Sequence, residues 1–310
     1  MHAGRLAKDY ARPAQPGRSA RFAKSTKWQN GRYPLLSLGV FGYGQKKFMT
    51  DAQIRFDDGA AYERMMGTWS RLAGTIFIDW LAPASGLKWI DVGCGNGAFT
   101  EHLVERCAPA EVHGIDPSEA QIAFARTRPA ARLAKFGHGD AMALPVPDNA
   151  FDAATMALVI FFVPHPAKAV AEMVRVVRPG GMIAAYAWDI PGGGFPLEPI
   201  RIEMRAIGLT PRDPPSVEAC RVETMGKLWS AAGLEAVETC EIAVQRTFAD
   251  FKDFWTTSLL GSSIASTVAA MAPKDLERLK MRVHARMPAD SAGRITYGAR
   301  ANAIKGRLPR

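Results

Sequence analysis

Four short apolar runs, Trp89–Val92, Val112–Ile115, Phe151–Ile160 and Met182–Ala187, alternate with helix-like segments near 97–107, 117–127 and 167–177. Parallel strands need a long crossover, and a helix is the usual one, so this alternation predicts a doubly wound parallel sheet. Such a sheet binds ligands at the carboxyl ends of its strands. Further along, the pattern predicts a helix over 218–232 ending at Gly233, a strand at Val237–Val244, helices near 250–260 and 274–287, and a last strand at Ile295–Ile304. Residues 190–217 hold PGGGFPLEP, a short helical stretch near 199–207 and TPRDPPS. They read as an excursion over the sheet edge that acts as a lid.

Before the first strand, Tyr62, Met65, Met66, Trp69, Leu72, Ile76 and Trp80 recur at steps of three or four, the mark of an amphipathic helix over Ala60–Leu81, with Gly67 and Gly74 as candidate breaks. At 310 residues, 48% hydrophobic and 22% charged, the chain has the balance of a packed globular protein. Its longest apolar run, Ala153–Pro164, falls short of the roughly 18–20 residues of a bilayer span and predicts a buried strand. Cys94, Cys107, Cys220 and Cys240 form no Cys-x-x-Cys pair and have no histidine at ligand spacing, so they predict free thiols, no metal site and a reducing, cytoplasmic setting.

The formal charge of +9 is unevenly placed. Residues 1–49 carry ten Lys or Arg against Asp9 alone, and the other residues balance 29 bases against 29 acids. The basicity therefore belongs to a Pro- and Gly-rich leader, residues 1–48, which reads as disordered, and not to the body of the chain, 49–310. Met49-Thr50-Asp51 reads as a true start, with the leader as a misassigned extension; a transit peptide, implying an organelle, and a basic arm are the alternatives.

The chemistry begins at Asp91-Val92-Gly93-Cys94-Gly95-Asn96-Gly97, between a strand and a helix. Glycines let the chain turn tightly and approach a ligand, and the helix start offers N–H groups. Gly93, Gly95 and Ala98 also satisfy the relaxed dinucleotide pattern. Asp91 argues against that reading, because a carboxylate there repels a pyrophosphate and suits an ammonium or sulfonium. Asp116 ends the second strand, where doubly wound folds place an acid for ribose hydroxyls, although it can equally cap the next helix.

Taken in order, DVGCGNG, GIDPS, GDAMALPVPDNAFD, VPHPAKAVAEMVRVVRPGG and MIAAYAWD resemble the class I S-adenosylmethionine-dependent methyltransferases, type 11 group, over Trp89–Trp188. The resemblance implies a Rossmann-like, mainly parallel seven-stranded sheet with helices on both faces and S-adenosyl-L-methionine as cofactor. It implies that Asp91 and the loop Gly93, Gly95, Asn96 and Gly97 meet the methionine part, and that Asp116 meets the ribose. Asp140 and Ala141 would then hold the adenine, with Ala157 against the cofactor. Phe162 stands where many relatives carry His, and His165 where Asp is common.

Methyl transfer from a sulfonium needs chiefly a placed and desolvated nucleophile. If a base takes part, Tyr62, His165 and Asp189 are the candidates. Arg71 is an alternative partner for the methionine carboxylate or a plain surface charge. Phe195, Pro196, Leu197 and Ile200 of the lid, with Met65, Met66 and Trp69, predict an apolar-leaning pocket for a small organic acceptor. A nucleic-acid substrate is disfavoured by the neutral body and by Ala157-Leu158-Val159-Ile160 in place of a base-stacking Pro-Pro-aromatic run; Asp213-Pro214-Pro215-Ser216 reads as a turn. A cofactor-binding regulator without turnover is the remaining alternative.

Overall fold

Strand β1 (Lys88–Val92) is preceded by helices in a computed structural model that describes residues 59–260, 262 and 264–310. The leader and its boundary at Met49 lie outside the described residues. Ahead of β1 run α1 (Gly59–Tyr62), a π-helical turn (Glu63–Gly67) and α2 (Thr68–Leu81). Gly67 marks the expected break. Gly74 does not: it lies inside α2, where a Cβ would come within 3.3 Å of Phe99.

After β1 come α3 (Ala98–Cys107), β2 (Glu111–Asp116), α4 (Glu119–Ala125), β3 (Ala134–His138), β4 (Phe151–Ala157), α5 (Pro166–Val176) and β5 (Val177–Trp188). Then follow α6 (Glu198–Ala206), α7 (Val222–Ala231), β6 (Glu235–Phe248), α8 (Phe251–Leu259), α9 (Ala265–Ala269), α10 (Pro273–Arg286) and β7 (Ile295–Arg307). The sheet order is β3-β2-β1-β4-β5-β7-β6. Only β7 runs against its neighbours. The expected seven-stranded, mainly parallel architecture is present, and β1 and β4 at its centre are buried almost throughout.

Three local readings need correction. β3 has too little apolar character to announce itself, because an edge strand buries little of either face; only Ala134 is buried. The apolar run after Phe151 is not one long strand. β4 stops at Ala157, Leu158 turns into the left-handed region at φ 61°, and Ile160–Phe162 form a 3₁₀ turn. The expected helix over 218–232 is a 3₁₀ turn, Val217–Cys220, followed by α7.

The largest structural departure from a simple α/β alternation sits between β6 and β7. Phe248 ends β6 on the side of the sheet where the parallel strands also end, so the inserted segment α8–α10 joins the 190–217 excursion over the carboxyl edge. The two insertions are locked together. Glu203 of α6 is buried and accepts from Arg282 Nε at 2.6 Å and Arg286 Nε at 2.7 Å, both on α10. Burial alone would raise this carboxyl, but Arg286 and Arg282 hold it below its ordinary value. Tyr297 of β7 adds a second tie, donating its hydroxyl to the Pro196 carbonyl at 2.5 Å and packing on Trp69 at 5.0 Å. Among the described residues, no helix is long and apolar enough to cross a membrane.

Candidate active site

At the carboxyl ends of β1, β2 and β4 lies a cleft of about 530 Å³. Its floor is the turn after β1. The N–H groups of Gly93 and Cys94 both donate to the Ile115 carbonyl, at 2.7 and 3.0 Å, which pulls the turn against β2. Gly93 has φ 76°, and a Cβ there would sit 2.6 Å from Val159. Any larger residue would meet both backbone strain and a clash. Gly95, at φ 52°, has nothing within 4 Å of a built Cβ, so it opens the cleft for close approach of a ligand to the backbone.

Asp116 stands at the wall, 9% exposed. Its Oδ2 accepts from Gly95 N–H and its Oδ1 from Ser118 N–H, each at 2.9 Å. Burial raises its carboxyl above the ordinary value, while the two N–H groups oppose the rise. A carboxylate oxygen has two lone pairs, so both oxygens keep capacity for hydroxyl donors from a ligand. Asp140, Ala141 and Met142 line the far end. The Asp140 carboxylate accepts from Met142 N–H at 2.8 Å, which fixes its rotamer at the rim. Ala157 lines the cleft beside Leu158.

Asp91 and Gly97 do not line the cleft. Gly97 caps α3, where a Cβ would press on Ala125 at 2.9 Å. Asp91 is fully buried behind the turn, with Oδ2 accepting from Thr100 Oγ1 at 2.7 Å and Oδ1 left without a hydrogen bond. Burial, with a smaller contribution from the charge of Asp116, pushes its carboxyl up to about 7 against the opposing hydroxyls of Thr100 and, more weakly, Thr155. An orphaned oxygen of this kind is what a nearby cationic group would satisfy.

Asn96 belongs to the turn and lines the cleft, but its side chain is committed elsewhere. Its Nδ2 donates to Glu63 Oε2 at 2.9 Å and its Oδ1 accepts from Ala98 N–H at 3.2 Å. The organiser here is Arg128, which carries no sequence motif. Its Nε donates to the Asn96 carbonyl at 2.6 Å, and its Nη atoms reach Glu101 at 2.8 Å and Glu63 at 2.5 Å. One guanidinium thereby joins the π-helical turn, the glycine turn and α3. Its fork is well suited to that task. Arg128→Ala is expected to loosen the turn and weaken S-adenosylhomocysteine binding about tenfold, ~1.4 kcal/mol, as read by calorimetric titration. An unchanged dissociation constant would show that the turn holds without it.

Of the base candidates, His165 and Asp189 do not line the cleft. His165 is exposed at the start of α5 and lines neither the cleft nor the smaller cavity beside it. Asp189 is buried, and its carboxylate is occupied by Arg300 at 2.5 Å and by Gly192 N–H at 3.0 Å. These contacts pin the start of the excursion to β7. Tyr62 ends α1 just before the π-helical turn, and its side chain lies outside the described residues. Arg71 is exposed and paired with Glu105 at 3.0 Å. Asp213–Ser216 is a latch as well as a turn: the Ser216 hydroxyl donates to the Val163 carbonyl at 2.7 Å and its N–H to the Phe161 carbonyl at 3.0 Å, and Pro214 faces a second cavity.

That second cavity, about 40 Å³, shares Leu158 and Phe162 with the cleft. Met65, Met66, Phe195 and Leu197 line it as the sequence predicts. Trp69, Pro196 and Ile200 do not; Trp69 and Ile200 are core residues. Phe161, Trp188, Arg201 and Ser262 are also on the wall. Arg201 escaped the sequence reading because an arginine on a short amphipathic helix looks like a solvent charge. Ser262 escaped it because nothing in the sequence places the β6–β7 insertion over the site.

Residues 90–185 match the family model described as a methyltransferase domain. The chain is 38% identical over 117 residues to a ubiquinone/menaquinone biosynthesis C-methyltransferase of Roseobacter denitrificans, covering 36% of this chain and 47% of that protein. It is 42% identical over 108 residues to a demethylmenaquinone methyltransferase of Staphylococcus aureus, covering 34% and 45%. The matched segments thus span about half the length of these curated relatives. In solved structures, the fold is similar to the YcgJ protein of Bacillus subtilis (TM-score 0.52, 17% identity, 77% of this chain and 98% of that one). It is similar also to a Bacillus halodurans protein (0.51, 16%, 76% and 99%). With its glycine turn, its strand-end acids and this match, residues 90–185 form a methyltransferase domain set in a Rossmann-like, mainly parallel sheet.

Proposed function

We propose that this chain transfers a methyl group from S-adenosylmethionine to a small, partly apolar organic acceptor held in the aromatic cavity beside the cleft. The observation that carries the reading is the shared wall: Leu158 and Phe162 border both spaces, so the donor cleft and the acceptor cavity adjoin at these residues. Leu158 keeps a left-handed backbone at this junction, with its N–H held by the Tyr186 carbonyl at 2.8 Å. Strain of that kind in a non-glycine residue collects at functional sites.

In this reading Asp116 receives the ribose hydroxyls, Asp140 and the Ala141 backbone receive the adenine edge, and the open face at Gly95 receives the methionine portion. Asp91 supplies negative potential from behind the turn. The fit is supported by the unfilled space at Gly95 and by the orphaned oxygen of Asp91. When bound, the cofactor supplies a methyl carbon activated by sulfonium. The protein's share is to align the acceptor with that carbon and to exclude water.

Among the described residues, the second cavity has no carboxylate or imidazole on its wall. Rate enhancement therefore rests on placement and desolvation. At about 40 Å³ the cavity has room for roughly three waters, so a ring-sized acceptor enters only when the Glu203 tie to Arg282 and Arg286 between the two roof segments yields. The two curated relatives are named for quinone methylation, and an aromatic-walled pocket accords with an acceptor of that general shape. Formation of S-adenosylhomocysteine should be followed with simple hydroquinones and phenols, with hydrophilic amines, and with RNA. Turnover confined to the ring-containing acceptors is expected. Turnover confined to hydrophilic amines or RNA would sink the reading.

A further inference from the structure

The wall of the acceptor cavity is apolar except where two roof segments bring polar groups to it. Arg201, in α6, has a side chain only 4% exposed, and its guanidinium lies 5.8 Å from the Phe195 ring. Its Nε makes no hydrogen bond and stands 3.4 Å from Glu198 Oε2, which is itself without one. Nη1 has only a long contact of 3.4 Å to the Arg212 carbonyl, and Nη2 meets Asp213, whose side chain is half exposed. From the other segment comes Ser262, whose buried hydroxyl has no hydrogen-bond partner among the described residues.

A guanidinium taken out of water costs several kcal/mol unless its donors are well met. An arginine kept only to rivet α6 to the 209–216 loop would be expected to hold its carboxylates bidentately. Arg201 instead leaves donor capacity unspent beside a cavity that carries a second unpaired polar atom. The local charge points the same way. The ion pairs of α6 join four arginines, Arg201, Arg205, Arg282 and Arg286, to three carboxylates, Glu198, Glu203 and Asp213.

We propose that the acceptor is an apolar ring or chain bearing one anionic oxygen, a carboxylate or phenolate, and that Arg201 is the residue that selects it. The inference rests on the reading of this cavity as the acceptor site. The anionic oxygen completes the Arg201 donors, with the Ser262 hydroxyl as a second contact, while the aromatic wall receives the apolar body.

The test is an equilibrium titration of the full chain, saturated with S-adenosylhomocysteine, with 2-naphthoate and with 2-naphthamide, which share a ring and differ in charge. The naphthoate is expected to bind at least about tenfold more tightly, ~1.4 kcal/mol. Arg201→Gln is expected to erase that preference while leaving affinity for S-adenosylhomocysteine and the amide within twofold. Equal affinity of the wild type for acid and amide overturns the inference and leaves the apolar pocket standing. Binding of neither, with S-adenosylhomocysteine bound, overturns the acceptor cavity and the inference together. Failure to bind S-adenosylhomocysteine overturns the methyl-transfer reading itself. The wild-type comparison decides the matter even if the variant does not fold.

Discussion

Asp116→Ala is expected to weaken S-adenosylhomocysteine binding by about two orders of magnitude. Two hydroxyls donating to a carboxylate contribute about 1.5–3 kcal/mol each in a water-poor site, and ~2.7 kcal/mol is already a hundredfold. The substitution has a second cost. Gly95 and Ser118 both donate to this carboxylate, so its removal strips the glycine turn of its acceptor and releases the segment that shapes the cleft floor. Calorimetric titration of the variant should show the loss chiefly as missing enthalpy. Thermal melting of the apo protein should shift by only a few degrees, because the two hydrogen bonds removed belong to the cleft and the apolar core stays intact. A dissociation constant within threefold of wild type would remove Asp116 from the site. Asp116→Asn, which keeps an acceptor oxygen but not the charge, is expected to fall between the two.

The sheet was legible because parallel strands must be joined by helices, and both leave strong apolar periods in the sequence. Burial, not pattern, decided what was hard to read. β3 lies at the edge and buries only Ala134, so no apolar run marks it. After Ala157 the chain stays apolar because Ile160 and Phe161 pack under the roof, and composition alone cannot distinguish that from a longer strand. At the site, residues tied to a backbone turn could be located from spacing, since Gly93, Gly95 and Asp116 are where a strand must end and a helix begin. Residues that act through long-range contact could not. Arg128 joins Glu63, Asn96 and Glu101 across 65 residues of sequence, and Arg201 owes its place to a helix whose cover, α10, begins at Pro273, far along the chain. Asp189 shows the converse. Its position at a strand tip suited a base, but Arg300 lies across the β5–β7 pairing from it and claims the carboxylate.

Asp91→Asn should stabilise the apo protein at neutral pH while weakening its hold on S-adenosylmethionine. The folded-state carboxyl titrates at about 7 and the unfolded one at the ordinary 3.8. Between these values the native state holds a proton that the unfolded state has released, so stability falls as pH rises through the window and levels off above about 7. At ~1.4 kcal/mol per pH unit, the accumulated penalty reaches about 4 kcal/mol. Asparagine escapes it, but its amide must find an acceptor in a dry site, which returns about 1–2 kcal/mol. Urea unfolding at about pH 4.5 and about pH 8 should therefore show the variant near or below wild type in acid and about 2–3 kcal/mol above it in base. A difference that does not change with pH would mean that Asp91 is not the titrating group. The same variant should bind S-adenosylmethionine about tenfold more weakly in the basic buffer, because the cation it approaches has lost its countercharge. The two shifts have one cause: a carboxylate buried with few partners destabilises the empty fold, and a cationic ligand beside it recovers part of that cost on binding.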